Sequence, residues 1–399
     1  MERRIKHIIT ICLFLIGLSG ILGCGSPSSA SMEHTVEEGV QTVSKQAAKE
    51  ECSQKLVYEC SMELKYAKNF SVDYFKGGYT LLTTSDKSRF LLIPEGKEKP
   101  ADLEADITVL QKPIENLYIV ATAVMDMFCE LDSLDAIRFS SQKEEGWYIE
   151  EARQAMESGD IFYAGKYSMP DYELIVSKGC SLAIQNTMIS HSPEVIDKLK
   201  EFGIPVMIDY ASYESHPLGR VEWVKFYGAL LGKEEKAEEI FERQVDILNC
   251  IDAAEKTDKT VAFFYITANG TVNVRKSSDY VPKMIELAGG RYIFEKLGSE
   301  SDNRSSVNMS MEEFYAAAKE ADILIYNSTT NGELKTVDEL LDKSGMFADF
   351  KAVKEGNVWC TTADLYQESM SVGDFIEDIH SILYNESTEQ KTDYIYKLL

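Results

Sequence analysis

Histidine is scarce, five in 399 residues. Those beyond the first ten residues, His34, His191, His216 and His380, are scattered along the chain, which argues against the His-and-carboxylate cluster that bare zinc or manganese would need. Basic residues are also short: 41 against 66 acidic ones leave a net charge of −25. With no basic stripe among them, nothing offers to hold a phosphate backbone, and a nucleic-acid role is excluded. The same charge keeps the chain soluble and apart from its own copies, so a monomer is expected. None of the eight cysteines forms a CxxC pair, which removes the zinc and dithiol signatures. There is no P-loop, no Gly-x-Ser-x-Gly elbow, no His-Glu-x-x-His and no GxGxxG after the first strand. The paired acids Glu144-Glu145 and Glu234-Glu235 are adjacent and have the character of a solvated surface, unlike a glycosidase pair. Neither an enzyme nor a cofactor is expected.

What is present begins with a processed leader over residues 1–24. Arg3, Arg4 and Lys6 form its positive region, Ile8 to Leu18 its apolar region, and Ile21-Leu22-Gly23-Cys24 its cleavage site. The apolar run, broken by Gly17 and Gly20, is too short for a comfortable membrane span. Its ending resembles the bacterial lipobox, which implies a diacylated Cys24 as the first mature residue, anchored outside the cytoplasm. Each buried methylene of such a lipid contributes about 0.8 kcal/mol, so two chains hold firmly. Residues 25–55 open on Ser-Pro-Ser-Ser-Ala-Ser, lack an apolar period and read as a flexible tether. Cys52 and Cys60 are close enough in sequence for a disulfide, while most of the remaining thiols are expected to be isolated and buried.

From Met62 onward strands and helices alternate. Phe70–Phe75 and Tyr79 onward flank a Gly77-Gly78 turn and predict a hairpin. Leu117 to Ala121, Ser181 to Ile184 and Gly203 to Asp209 read as strands separated by helices, the pattern of a parallel α/β sheet. Pro217 to about Thr257 is a spine: Gly232 offers a stop, after which Ala237, Ile240, Phe241, Val245 and Leu248 recur at helical spacing. The second half repeats the grammar, with strands at Val261–Ile266, Ile323–Tyr326 and Asn357–Trp359 and a closing helix over Val372–Leu383. The expected fold is α/β: two Rossmann-like lobes, 56–216 and 258–399, joined by one long spine helix in the 217–257 region, with a ligand cleft between them.

Four stretches carry a family resemblance: Asp171-Tyr-Glu173-Leu-Ile with Leu182-Ala-Ile; Gly203-Ile-Pro-Val; His216-Pro-Leu-Gly-Arg-Val-Glu-Trp with Leu231-Gly-Lys-Glu; and Leu287-Ala-Gly-Gly with Ser310-Met-Glu312-Glu313-Phe and Asp322-Ile-Leu-Ile. In order and spacing the chain resembles the helical-spine (cluster A, type III) substrate-binding lipoproteins of bacterial ABC importers, the class of iron-siderophore, haem and cobalamin binders. The resemblance implies an ABC permease with its ATPase as partner and a small organic metal chelate as ligand. It also implies one docking carboxylate on each lobe, Glu173 and Glu312, with Glu313 as the alternative to the latter. Cys180-Ser181 departs from the usual Pro-Asp of the first lobe.

If the lobes close on a ligand, loops at the strand ends should line the cleft. The first-lobe candidates are Arg138, Trp147, Tyr148, Tyr163, Tyr167, Gln185, Asn186, Tyr210 and Tyr213; the second lobe adds Tyr280, Arg304, Asn327 and Tyr366. Aromatic faces suit a flat chelate and arginine its acidic groups. A lipid-anchored sensor or adhesion protein without a transporter would share everything except the docking glutamates.

Overall fold

The computed structural model describes residues 55–252, 256–298, 305–384 and 392–399. The leader, Cys24, Cys52, the tether as far as residue 54 and Arg304 lie outside the described residues. The chain divides into Met1–Cys52 and Ser53–Leu399, and every described residue belongs to the second unit.

A five-stranded sheet comes first, in sequential order: β1 Tyr58–Ser61, β2 Phe70–Phe75, β3 Tyr79–Thr84, β4 Arg89–Ile93 and β5 Ile107–Gln111. The predicted hairpin is β2–β3, with Phe75 opposite Tyr79. Gly77 and Gly78 in its turn take φ of 87° and 85°, a conformation that costs glycine little. Alternation sorts the faces. Val72, Leu82, Phe90 and Leu92 enter the main core, whereas Tyr79, Leu91 and Ile93 build a small cluster on the other side. This sheet is separate from the parallel sheet that follows it.

The first lobe contains β6 Leu117–Ile119, α1 Thr122–Glu130, β7 Ile137–Ser140, α2 Glu150–Glu157, β8 Phe162–Tyr163, a small ribbon of β9 Gly165–Lys166 and β10 Met169–Pro170, α3 Tyr172–Ser177, β11 Leu182–Asn186, α4 Pro193–Glu201 and β12 Val206–Asp209. Its sheet runs β12-β11-β6-β7-β8, all parallel. The chain winds outward from β6 in one direction, then returns to place β11 and β12 on the other flank. The reversal between β6 and β11 is the switch point of a doubly wound sheet, where loops diverge and leave a crevice.

The spine region holds two helices, α5 Pro217–Leu231 and α6 Glu234–Asp252. His216 shapes the entry: its Nδ1 accepts the Leu218 N–H at 3.2 Å while its ring stacks on Tyr66 at 4.5 Å. Gly232 ends α5 in the left-handed conformation, φ 73°. Nearly every residue of α5 is buried, including Glu222 and Lys225, so it runs through the core rather than over it. Helix α6 is the amphipathic one predicted from Ala237 to Leu248, and its 19 residues span roughly 28 Å. Lys233, just before its start, donates to the Leu131 and Asp132 carbonyls at 2.9 and 2.6 Å, and Gln244 farther along accepts the Gly373 N–H at 2.7 Å. It therefore ties the end of α1 to the closing helix of the second lobe.

That lobe comprises β13 Thr260–Ile266, β14 Val272–Arg275, α7 Tyr280–Leu287, β15 Arg291–Tyr292, β16 Ser306–Met309, α8 Met311–Ala318, β17 Ile323–Tyr326, α9 Val337–Lys343, α10 Lys351–Lys354, β18 Val358–Thr361, α11 Val372–Tyr384 and β19 Ile395–Lys397. The order is β16-β14-β13-β17-β18-β19, with β15 also on β13. Strands β13, β17 and β18 form a parallel centre, and β14, β16 and β19 are antiparallel additions.

Candidate functional site

In a parallel sheet the loops after the strands collect on one edge, and here the two lobes turn those edges toward each other. The loop after β18 reaches the loop after β7 and the start of α1. Gln367, with no exposed surface, accepts the Tyr148 N–H and donates to the Gly146 carbonyl, both at 2.8 Å. Ser369 Oγ donates to the Ala123 carbonyl and the Met370 N–H donates to Asp126, again at 2.8 Å. These contacts join the two lobes directly.

The predicted side chains divide by burial. Tyr148, Tyr163, Tyr213 and Tyr366 are exposed, and Tyr210 pairs with Tyr213 at 5.8 Å between ring centres. Burial, reinforced by Asp86, pushes the Tyr210 hydroxyl up to about 12. Tyr163 also lines an open cavity of about 430 Å³ with Lys143, Glu144, Met156 and Phe162. Tyr280 is half-buried at the start of α7. Other candidates are occupied by the fold. Trp147 is a core residue, 3% exposed, whose Nε1 donates to Ser140 Oγ at 3.2 Å. Tyr167 packs half-buried against the α3–α4 side of the sheet. Asn186 accepts the Met188 N–H, and the buried Asn327 accepts from the N–H and hydroxyl of Thr329, so both amides shape their own turns. Arg138 sits early in β7, beside a bulge, and donates at 2.6 Å to the Asp160 carbonyl ahead of β8, toward the opposite edge. Gln185 is wholly buried near the switch point, and neither atom of its amide has a hydrogen-bond partner among the described residues.

Two residues absent from the sequence-derived set stand at the boundary. Arg220, in the first turn of α5, lays its guanidinium 3.9 Å above the Tyr280 ring. It lies within the spine-entry motif, and a cation one turn into a mostly apolar helix is the available signal. Gln367 had no such signal. Nearby, Arg275 Nη1 stands 3.8 Å from Asp279 Oδ2, and burial raises the Asp279 carboxyl despite that cation.

The two predicted docking glutamates are exposed, Glu173 on α3 and Glu312 on α8. Glu313 is engaged in a capping box: its carboxylate accepts the Ser310 N–H at 2.8 Å and Ser310 Oγ accepts the Glu313 N–H at 3.2 Å. Of the four thiols expected to be mostly buried, Cys360 is buried, Cys129 and Cys180 are half-buried and Cys250 is exposed, so burial is not the rule among them; Cys60 is also exposed. No group of three or more His, Cys, Asp or Glu that could hold a metal ion occurs among the described residues.

The family model for periplasmic binding proteins matches residues 136–365, more than half of the chain. An uncharacterized lipoprotein of Methanocaldococcus jannaschii is 29% identical over 348 residues, covering 81% of this chain and 79% of that protein. A second lipoprotein of that organism is 26% identical over 413 residues, covering 98% and 100%. Among solved structures, a periplasmic haem-binding protein of Vibrio cholerae shares the fold with a TM-score of 0.55 at 17% identity, over 68% of this chain and 99% of that one.

Proposed function

Because this chain belongs to the periplasmic binding protein family, we propose that it is an extracytoplasmic substrate-binding lipoprotein of an ABC importer. It captures a metal chelate of the iron-siderophore, haem or corrinoid type and delivers it to the permease and its ATPase, with no chemistry on the ligand. Residues 1–24 are the leader, Cys24 carries the lipid, and 25–55 hold the lobes off the membrane. Relatives named as lipoproteins support the anchor, and no helix among the described residues is long and apolar enough to cross a membrane.

The observation that carries the reading is the facing pair of loop edges, with Tyr148, Tyr163 and Tyr213 exposed on one lobe and Tyr366 on the other. Aromatic faces from both sides suit a flat or bulky chelate, and Arg220 supplies a fixed positive charge for its acidic groups. Glu173 and Glu312 are the docking carboxylates in this proposal. Glu312 is preferred to Glu313 because the latter is already held by its own helix cap.

The test is calorimetric titration of the soluble chain starting after Cys24 with ferric siderophores, haem and corrinoids. Saturable one-to-one binding of one class is expected. Flat responses to all three, from protein shown to be folded, would overturn the chelate reading.

A further inference from the structure

An amide removed from water costs free energy unless its donors and acceptor are all engaged. Gln367 is 0% exposed and meets that condition only through the lobe boundary. Its carbonyl accepts the Tyr148 N–H at 2.8 Å; its NH₂ donates to the Gly146 carbonyl at 2.8 Å and to the Tyr366 hydroxyl at 3.0 Å. Two of the three partners belong to the opposite lobe. The third is an exposed aromatic of its own lobe, and Tyr148 is an exposed aromatic of the other, 54% against 40%. A single side chain thus fixes the backbone of one ring and the hydroxyl of the other.

Ser369 and Met370 extend the junction. The Met370 N–H bond to Asp126 is buried, so opening the lobes at this side would break it and leave a backbone donor unpaired. The α6 region ties the end of α1 to α11, whereas residues 367–370 join the loops of the two lobes directly.

We propose that residues 367–370 form a latch that sets the cleft aperture, and that Gln367 is the positioning residue presenting Tyr148 and Tyr366 as a paired aromatic clamp for the flat face of the ligand. The clamp rests on the interlobe cleft being the binding site, whereas the latch is independent of any ligand.

The experiment separates the two. Amide exchange at Tyr148 and Met370 is measured on ligand-free protein for wild type and Gln367→Met, a change that keeps size and removes every hydrogen bond. At least tenfold faster exchange at Tyr148 is expected, and unchanged exchange would overturn the latch. Gln367→Glu keeps the acceptor and loses both donors, so it should leave the Tyr148 amide protected; loss of that protection would also count against the assignment. Affinity for haem and for a corrinoid is then measured for Gln367→Met, Tyr148→Ala and the double variant. Losses of about tenfold in each single variant that do not add in the double support the clamp. Fully additive losses, or no binding of either probe by wild type, overturn the clamp and leave the exchange result to decide the latch.

Discussion

Glu173 and Glu312 occupy equivalent places in the two lobes. Each is the second residue of the helix, α3 or α8, that leads to the strand paired with the first strand of its lobe, β11 beside β6 and β17 beside β13. Both carboxylates are exposed. No close sequence repeat relates the halves, so the equivalence arises from the order of elements alone.

Replacing both glutamates with alanine should abolish uptake of the ligand by cells while leaving its affinity for the purified protein within about twofold. Each single variant should transport at an intermediate rate, because charge-assisted contacts with arginine are lost one lobe at a time. Calorimetry suits the affinity arm better than fluorescence, because Trp147, Trp223 and Trp359 are 3%, 0% and 7% exposed and sense the cleft only indirectly. Normal uptake by the double variant would end the docking assignment.

Glu222 is wholly buried and accepts the backbone N–H groups of Lys65, Tyr66 and Ala67 at 2.8, 2.8 and 2.7 Å, while Glu214 takes those of Lys68 and Asn69 at 3.0 and 2.9 Å. Five consecutive donors between β1 and β2 therefore depend on two carboxylates. Glu222→Ala leaves three of them and Lys225 without this partner, and the cost should be about 3–5 kcal/mol in a urea titration. A loss below about 1 kcal/mol would show that this connection re-forms its bonds elsewhere.

Gly228 of α5 lies against the start of α6. A Cβ there would stand 2.5 Å from the Ala237 Cβ and 3.1 Å from the Lys233 carbonyl oxygen, too close without separating the helices. Gly228→Ala should lower stability by about 1–3 kcal/mol as overpacking. Ala237→Gly added to it should restore part of the loss, and a lack of rescue would mean that the clash falls on the backbone instead.

The parts of the fold legible in the sequence were those that bury continuous apolar runs. Val261–Ile266 and Ile323–Tyr326 are central parallel strands and nothing in their composition suits another role. Strands β14 and β16 escape local pattern because half their residues are polar and they form by pairing, β14 on β13 and β16 on β14, with Asn273 donating to Asn308 across the latter pair at 2.7 Å. Trp147 illustrates the opposite failure. An indole fits a cleft or a core equally well, and its bond to Ser140 settles the matter only in three dimensions. Gln367 was silent because its partners are 219 and 221 residues away. Local pattern carries no trace of such a bond.

Two buried carboxyls make stability depend on pH in a definite direction. Asp209 accepts the Tyr227 hydroxyl at 2.6 Å and the Ala211 N–H at 3.1 Å, yet burial pushes it up to about 6. Asp378, which accepts the Tyr394 N–H at 2.6 Å, is pushed up to about 7, again chiefly by burial. Both folded values lie above the ordinary 3.8, so between about pH 4 and 7 the folded state binds more protons than the unfolded state, and stability falls as pH rises through that window. Each pKa unit corresponds to about 1.4 kcal/mol. Exposed carboxylates such as Glu242, held low by its hydrogen bond to Lys65, act with the opposite sign, so the informative quantity is the difference between variant and wild type. Asp209→Asn removes one titrating group while keeping an acceptor for Ala211 and a donor for the Tyr227 oxygen. Its stability relative to wild type should therefore rise by roughly 1–3 kcal/mol between pH 4 and pH 7 in denaturation titrations. A difference that stays constant across that range would show that Asp209 titrates alike in the folded and unfolded chains.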